Sequence, residues 1–173
     1  MMLHISSNNT LSSLTSVQEL DVQPNAVDLR LDRVWQIKST MFTIDNEHKI
    51  HREHEEILPI DEWYQLDLGT YEITMENIIT VGQGEAGWVI TRSTLNRNGV
   101  FLTSGLYDSG YHGIMAGAMH VTSGPLRIKR GTRIGQFLLF KAETLHLYSG
   151  SYGFTSDGII KIEEARYHVK ENS

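Results

Sequence analysis

Residues 99–121 read GVFLTSGLYDSGYHGIMAGAMHV, and this stretch shows the pattern from which we predict the fold class. It holds two short runs typical of β-strands, residues 99–103 and 113–121, joined by a segment in which glycine recurs. Glycine adopts backbone conformations that other residues avoid, so glycine at this density marks a bend rather than a strand interior. We therefore expect two strands joined by a bend that carries Asp108 and Tyr111.

The same pattern of short apolar runs separated by glycine extends in both directions. Further strands are predicted at residues 28–35, 64–68, 71–81, 87–91, 126–129, 133–141 and 159–163. The sequence shows no long helical pattern, and we expect only one helical turn, at residues 92–97. Many short strands at close spacing are typical of an all-β barrel or sandwich.

The length of 173 residues suits one domain, and we expect a single domain over residues 1–173. Residues 1–20 are polar and without periodicity, which predicts a weakly structured lead-in. Residues 45–62 are densely charged, which predicts a surface excursion from the barrel. Residues 148–173 are expected to form a C-terminal closing segment.

Composition excludes several classes of function. Lys and Arg number 15 against 21 Asp and Glu, a net charge of -6, which argues against a nucleic acid partner. Cysteine is absent, so a thiolate nucleophile, a disulfide scaffold and a cysteine zinc site are excluded. Because the sequence shows neither a long apolar run nor a secretory signal, we expect no membrane association and a cytoplasmic location, in the host if the source is viral.

Two polar stretches flank predicted strands in the first half of the chain. In residues 23–30, QPNAVDLR, the carboxylate of Asp28 stands where an apolar residue is usual, although for this stretch alone an outward-facing Asp at a strand start is the favoured interpretation. In residues 91–99, TRSTLNRNG, two arginines flank two hydroxyls at a strand exit. Guanidinium groups, hydroxyls and backbone N–H groups together suit a polyphosphate, while an ordinary polar loop is the alternative.

Two further stretches combine glycine with polar residues. In residues 104–113 three glycines bracket Asp108 and Tyr111, where a ring can lie against a sugar and a carboxylate can orient a water. A plain hairpin with turn glycines is the other interpretation of that stretch. In residues 130–140, RGTRIGQFLLF, Gln136 interrupts an apolar run and must find partners if it is buried.

In this order and spacing, the four stretches resemble the superfamily of dUTP diphosphatases (dUTPases) and dCTP deaminases, over residues 22–160. Arg92-Ser93-Thr94-Leu95 looks like its Arg-Ser-x-Leu phosphate motif. Residues 105–113 are similar to its motif Gly-Leu-Ile-Asp-x-Asp-Tyr-x-Gly, and residues 131–140 match Gly-x-Arg-Ile-x-Gln.

The resemblance implies a distorted, jelly-roll-like β-barrel, a homotrimer with active sites shared between subunits, and a deoxynucleoside triphosphate substrate that carries Mg²⁺. It implies no metal held by the protein itself. By position, Asp108 is expected to contact the 3′-hydroxyl and orient the attacking water, and Tyr111 to lie under the sugar. The phosphates, or the groups that support them, are assigned to Arg92, Ser93, Thr94, Arg97 and Gln136.

Two departures from the family pattern bear on the branch of the superfamily and on the base, and the closing segment leaves one assignment open. The deaminase acid/base Glu falls on Ala118, whose methyl group cannot carry a proton. The segment from Arg92 to Asp108 is a few residues shorter than in the family, which leaves the hairpin that reads the pyrimidine altered and the base open. In the closing segment, either Tyr152 or Phe154 is expected to stack on the base.

These features favour hydrolysis of a pyrimidine deoxynucleoside triphosphate, dUTP first, to the monophosphate and pyrophosphate. Deamination of dCTP, alone or combined with diphosphatase activity, is the second hypothesis. A non-catalytic deoxynucleotide-binding protein is the third.

Overall fold

A computed structural model describes residues 1–167 and confirms the all-β prediction. Its strands are β1 Met2–Leu3, β2 Ser13–Leu14, β3 Val27–Ile37, β4 Thr43–Ile44, β5 Lys49–Ile50, β6 His54–Ile57, β7 Trp63–Leu66, β8 Gly69–Thr80, β9 Glu85–Thr91, β10 Val100–Thr103, β11 His112–Val121, β12 Leu126–Lys129 and β13 Arg133–Lys141. A single turn of helix, α1, covers Ser93–Asn96, inside the predicted range. Two 3₁₀ turns lie at Glu19–Asp21 and Ala165–Tyr167.

The strands form one curled antiparallel sheet with two small additions. Its order is β1-β13-β3-β8-β11-β10, with β9 also paired to β13, β2 to β8 and β6 to β3. Two separate two-stranded sheets, β7 paired with β12 and β4 paired with β5, lie outside this order. The architecture is jelly-roll-like, as the sequence predicts.

Strand β3 is the corner of this sheet. Its first half pairs with β13, and after a register shift between Leu31 and Val34 its second half pairs with β8 and β6. Such irregularities bend a strand and let it serve two sheets. The apolar side chains inside the corner are fully buried, among them Val27, Leu29, Leu31, Ile73, Met115, Met119, Ile134, Phe137 and Leu139. Their burial fixes the strand ends on which the polar stretches lie.

Residues 1–20, expected to have little structure, pair with the sheet at two places. Strand β1 bonds to β13 and β2 to β8. Between them, Glu85 accepts hydrogen bonds from the Leu11 and Ser12 amides, each at 3.0 Å, and from the Thr10 hydroxyl at 2.6 Å. Burial opposes the charge on Glu85, but these bonds outweigh it and lower its pKa. A carboxylate distant in sequence thus orders a segment that has no apolar period of its own.

The charged segment 45–62 lies on the surface and still joins the sheet. Strand β6 within it pairs with β3, and Arg33 of β3 forms an ion pair with Glu56. A hydrogen bond from Arg33 to the Tyr167 carbonyl, at 2.7 Å, connects this region to the end of the described chain. Through Arg33, the segment is therefore connected to the C-terminal end of the described chain.

The prediction of a strand at residues 159–163 is wrong. The structure has turns there, with one isolated bridge between Phe154 and Ile160. Ile159 and Ile162 are 62% and 83% exposed. These apolar side chains therefore do not pack against a sheet, and such packing is what stabilises an apolar run as a strand. The predicted closing segment is described as far as Tyr167, and residues 168–173 lie outside the described chain.

One buried carboxylate fastens this segment to the sheet. Glu164 is fully buried, and its Oε1 accepts the Ile114 N–H at 2.7 Å while its Oε2 accepts the Gly153 N–H at 2.9 Å. The segment is thereby held against β11. In residues 1–167, no helix has the length and apolar character needed to cross a membrane.

We predict that Glu164→Ala loosens the C-terminal segment. Two buried N–H groups lose their acceptor, at a cost of about 1–3 kcal/mol each. Hydrogen exchange should show faster exchange at Ile114 and over residues 148–167, with β3 unchanged. Glu163→Ala is the control, because Glu163 pairs with the partly exposed Lys49 and His51 and accepts no hydrogen bond from Ile114 or Gly153. Equal exchange in the two variants would contradict the anchoring role of Glu164.

Candidate active site

Three strand ends bring one polar cluster together. Asp28 of β3 lies directly opposite Gln136 of β13, and Gln136 is also opposite Ile90 of β9. Arg92 follows β9, with its amide bonded to the Ile134 carbonyl at 3.0 Å. The strand register therefore places groups from three of the four motif stretches within one site.

Asp28 is the centre of the cluster. Its side chain is fully buried, and its Oδ2 lies 3.2 Å from Arg92 Nε and 3.2 Å from Arg133 Nη1. Its Oδ1 accepts a hydrogen bond from Gln136 Nε2 at 3.0 Å. The two arginine side chains keep 29% and 31% of their surface exposed. A buried carboxylate therefore orients two partly exposed guanidinium groups, an arrangement that suits an anionic ligand.

Arg30 and Asp21 form a second ion pair near this cluster. Arg30 donates to both oxygens of Asp21, at 3.0 and 2.7 Å, and to the Gly131 carbonyl at 3.0 Å. The hydrogen bond to Asp21 raises the pKa of Arg30. Burial would raise the pKa of Asp21, but the hydrogen bonds from Arg30 and from the Gln18 amide outweigh burial and lower that pKa. Arg133 also donates to the Leu20 carbonyl at 2.7 Å. The Asp21–Arg30 pair therefore lies close to Arg133, which connects it to Asp28.

The hydroxyls of the predicted phosphate motif stand at the surface beside this cluster. Ser93 and Thr94 begin helix α1 and are exposed, as is Arg97, whose amide closes the turn onto the Ser93 carbonyl at 3.1 Å. Only Arg92 of this motif contacts Asp28. The other three side chains are therefore free to meet a ligand that approaches from solvent.

Asp108 lies elsewhere on the chain. It is exposed in the bend between β10 and β11, beside a surface cavity of about 380 Å³ that Ser109, Thr144 and His146 also line. Within the described residues that cavity includes neither the arginine pair nor Gln136. The structure of one chain therefore brings the phosphate-motif residues together and leaves the candidate water-orienting carboxylate separate.

Tyr111 is buried rather than presented to solvent. Only 8% of its surface is exposed, its hydroxyl donates to the Ile114 carbonyl at 3.2 Å, and burial raises its pKa. The ring meets Tyr107 edge-on at 5.4 Å and Tyr148 edge-on at 5.2 Å. Contact of Tyr111 with a sugar stays a prediction, and in this structure Tyr148 of the closing segment covers part of the ring.

The two aromatic candidates of the closing segment take different places. Tyr152 lines a cavity of about 440 Å³, with Lys49 Nζ 4.9 Å from its ring centre. Phe154 packs on His112, with ring centres 5.1 Å apart. Of these two candidates, Tyr152 lines the cavity and Phe154 does not.

The wall of that cavity holds a charged group that the sequence did not reveal. Glu72 of β8 lies directly opposite Ala118 of β11, and its carboxylate pairs with Arg166 and His54 and accepts the Tyr167 hydroxyl at 2.8 Å. Burial would lower the pKa of Arg166, but Tyr167 and Glu72 beside it raise that pKa. A carboxylate so engaged is poorly suited to carry protons in place of the missing deaminase Glu.

Sequence reasoning left the role of Asp28 open, placed Arg133 in a matched motif without giving it a role, and missed Glu72 and Glu164. For Asp28 a signal existed, since a carboxylate between Val27 and Leu29 interrupts an apolar run. Among residues 1–167, no group of three or more His, Asp or Glu side chains is placed to hold a metal ion.

The dCTP deaminase-like family model matches residues 4–142. The chain therefore belongs to the dCTP deaminase-like family.

Similar proteins carry a more specific name. The probable deoxyuridine 5′-triphosphate nucleotidohydrolase of Halobacterium salinarum is 31% identical over 142 residues, 79% of this chain and 85% of that protein. The protein of the same name from Methanothermobacter thermautotrophicus is 33% identical over 134 residues, covering 76% of this chain and 87% of that one.

Solved structures share the fold. The 2′-deoxycytidine 5′-triphosphate deaminase of Agrobacterium tumefaciens gives a TM-score of 0.58 at 17% identity, over 73% of this chain and 43% of that one. The dUTPase of Staphylococcus bacteriophage 80alpha, in a mutant form with dUpNHpp, gives 0.51 at 14% identity, over 83% and 97% of the two chains.

We predict that Asp28→Ala lowers the free energy of unfolding by about 3 kcal/mol, because Arg92 and Arg133 lose the buried carboxylate that balances them. Urea denaturation measures the loss. Asp32→Ala is the matched control on the same strand: its partner Arg130 is 43% exposed, so the expected cost is below about 1 kcal/mol. Similar losses in both variants would contradict the special role of the buried Asp28 carboxylate in balancing the arginine pair.

Proposed function

We propose that this chain hydrolyses a pyrimidine deoxynucleoside triphosphate, dUTP first, to the monophosphate and pyrophosphate. The observation that carries the proposal is the arginine pair held on buried Asp28, with Gln136 beside it. Partly exposed guanidinium groups on a rigid carboxylate suit a chain of phosphates. Relatives at about 30% identity bear the name of the dUTP-hydrolysing enzyme, which supports this substrate.

The proposed mechanism divides the work between two places. Arg92 and Arg133, the pair on Asp28, hold the triphosphate together with Arg97 and Gln136. These groups stabilise the charge that develops when the bond between the α- and β-phosphates breaks. Asp108 orients the attacking water and accepts a hydrogen bond from the sugar 3′-hydroxyl. Mg²⁺ belongs to the substrate in this scheme, since it stays hydrated and binds phosphate oxygens in preference to a protein cage.

We further propose a homotrimer in which one chain supplies the arginines and a neighbour supplies Asp108. An apolar surface supports this proposal: Trp88 and Ile90 are 41% and 37% exposed on β9, and Trp88 stacks on Phe140 of β13 at 4.9 Å. Because Ile90 lies opposite Gln136, this surface adjoins the arginine cluster. A second copy that covered it would bring its own residues next to the phosphate groups.

The proposal includes a cytoplasmic location, since deoxynucleoside triphosphates are made and used there. Deamination is not favoured, because Ala118 stands where the deaminase acid/base is expected. A purified sample supplied with dCTP should therefore release no ammonia.

We predict that Asp108→Asn abolishes pyrophosphate release from dUTP while the oligomer and its melting temperature stay unchanged. The amide is nearly isosteric but cannot carry the negative charge that orients the water. Asp108 is exposed and bears no structural contact of the kind that Asp28 makes, so the fold should be preserved. Chromatographic product analysis, light scattering and a thermal melt measure the three quantities. Full activity in this variant would remove the water-orienting role.

Subunit mixing tests the shared site. Arg92→Ala and Asp108→Asn should each be inactive alone. When the two are unfolded and refolded together in equal amounts, random assembly should restore about a quarter of the wild-type activity, because that fraction of sites combines an intact Arg92 with an intact Asp108. If mixing restores no activity, the two residues do not come from different chains.

A further inference from the structure

The strand ladder between β10 and β11 ends abruptly next to the 440 Å³ cavity. Thr103 is the last residue of β10 and pairs with Ala118, so the next hydrogen-bonded position would set Gly105 opposite Ala116. The chain instead turns away, and Tyr107 exchanges two backbone hydrogen bonds with Gly87 of β9, at 3.1 and 2.8 Å. A backbone N–H and C=O on Ala116 are thereby left facing the gap.

A tyrosine hydroxyl fills that gap. Tyr107 donates to the Ala116 carbonyl at 3.0 Å, and the Ala116 N–H donates to the same hydroxyl at 3.1 Å. The ring is held edge-on against Phe137 at 5.9 Å and Tyr111 at 5.4 Å. Burial raises the pKa of Tyr107, so the hydroxyl keeps its proton and serves as donor and acceptor at once.

The next pair of groups along β11 is also occupied by side chains. The Ile114 N–H donates to Glu164 Oε1 at 2.7 Å, and the Ile114 carbonyl accepts the Tyr111 hydroxyl at 3.2 Å. Beyond Ala118 this strand edge therefore meets side chains of its own chain in place of a neighbouring strand. In the same cavity, Glu72 is engaged by Arg166 and Tyr167.

An N–H and a C=O side by side on a strand edge can read the edge of a pyrimidine, since uracil and cytosine each present a donor next to an acceptor. A site that binds a ligand by such hydrogen bonds can reject a mismatched analogue by orders of magnitude, whereas a site that reads only shape discriminates weakly. Uracil and cytosine have nearly the same shape. Occupation of the Ala116 pair by Tyr107 removes this means of telling them apart.

We propose that Tyr107, by occupying this edge, prevents discrimination between uracil and cytosine. The chain then hydrolyses dUTP and dCTP with similar efficiency. The inference rests on the proposed hydrolysis and deepens it. The motif that residues 105–113 resemble has Ile at the place of Tyr107, and Ile offers no hydroxyl to the strand edge. Hydrolysis of dCTP would yield dCMP and pyrophosphate, with water consumed and no ammonia released.

The test compares kcat/KM for dUTP and dCTP in the wild type and in Tyr107→Ile. We expect the wild-type ratio to lie within about tenfold, and the variant ratio to shift by at least about tenfold toward one base, because the Ala116 pair becomes available. Tyr107→Phe is the matched control: Ala116 loses the hydroxyl as its partner, but the ring stays in the gap and still blocks the approach of a base, so the ratio should remain near that of the wild type. Thermal melts confirm that each variant is folded.

The outcomes separate the two proposals. If the wild type discriminates by more than about a hundredfold, the specificity role of Tyr107 is wrong whether or not Tyr107→Ile folds. An unchanged ratio in folded Tyr107→Ile, or an equal shift in Tyr107→Phe, also overturns it. Binding of the non-hydrolysable triphosphates dUpNHpp and dCpNHpp, followed by calorimetry, is the parallel measurement. If neither is bound and neither substrate is hydrolysed, the proposed function itself has failed.

Discussion

The burial of Asp28 is the constraint on which the candidate site depends. A carboxylate without solvent exposure is tolerated only when cations and donors surround it, and here Arg92, Arg133 and Gln136 do so. These groups come from the exit of β9 and from β13, so their contacts require both strands to keep their register with β3. A slip of one residue would turn Asp28 to the opposite face and leave two arginines unbalanced. The same interaction thus fixes the sheet corner and shapes the surface offered to a ligand.

Strand β11 shows a second constraint, the need to satisfy a strand edge that has lost its neighbour. The edge is closed by the hydroxyls of Tyr107 and Tyr111 and by the carboxylate of Glu164. Because these partners are side chains, the edge of β11 is satisfied while the adjoining cavity stays open. An added strand would cover that cavity. The bent hairpin and the closing segment are therefore linked: the segment supplies an acceptor that the shortened hairpin requires.

The local sequence pattern predicted most strands. The pairing of buried charged side chains depends on contacts between residues far apart in sequence, which that pattern does not show. The runs at 28–35, 113–121, 126–129 and 133–141 each showed a period or length that a strand requires, and each lies within a strand of the structure. Asp28 remained ambiguous because its burial depends on Arg133, 105 positions away. For the same reason the pairing of Glu72 with Arg166, 94 positions apart, left no local trace. The apolar run at 159–163 resembled a strand, but strand formation needs a partner edge, and the sequence carries no information on which edges remain open.

The separation of Asp108 from the arginine pair has a physical rationale. A carboxylate that orients a water must remain unpaired until substrate arrives, and a carboxylate beside Arg92 in the same chain would form an ion pair at once. Asp28 already supplies the negative charge that the arginines need, so Asp108 is left exposed in its bend. Delivery of Asp108 from a neighbouring chain would set it against phosphates rather than against guanidinium groups, since the triphosphate would lie between them. On this view the exposure of Asp108 in a single chain is what a site divided between subunits requires.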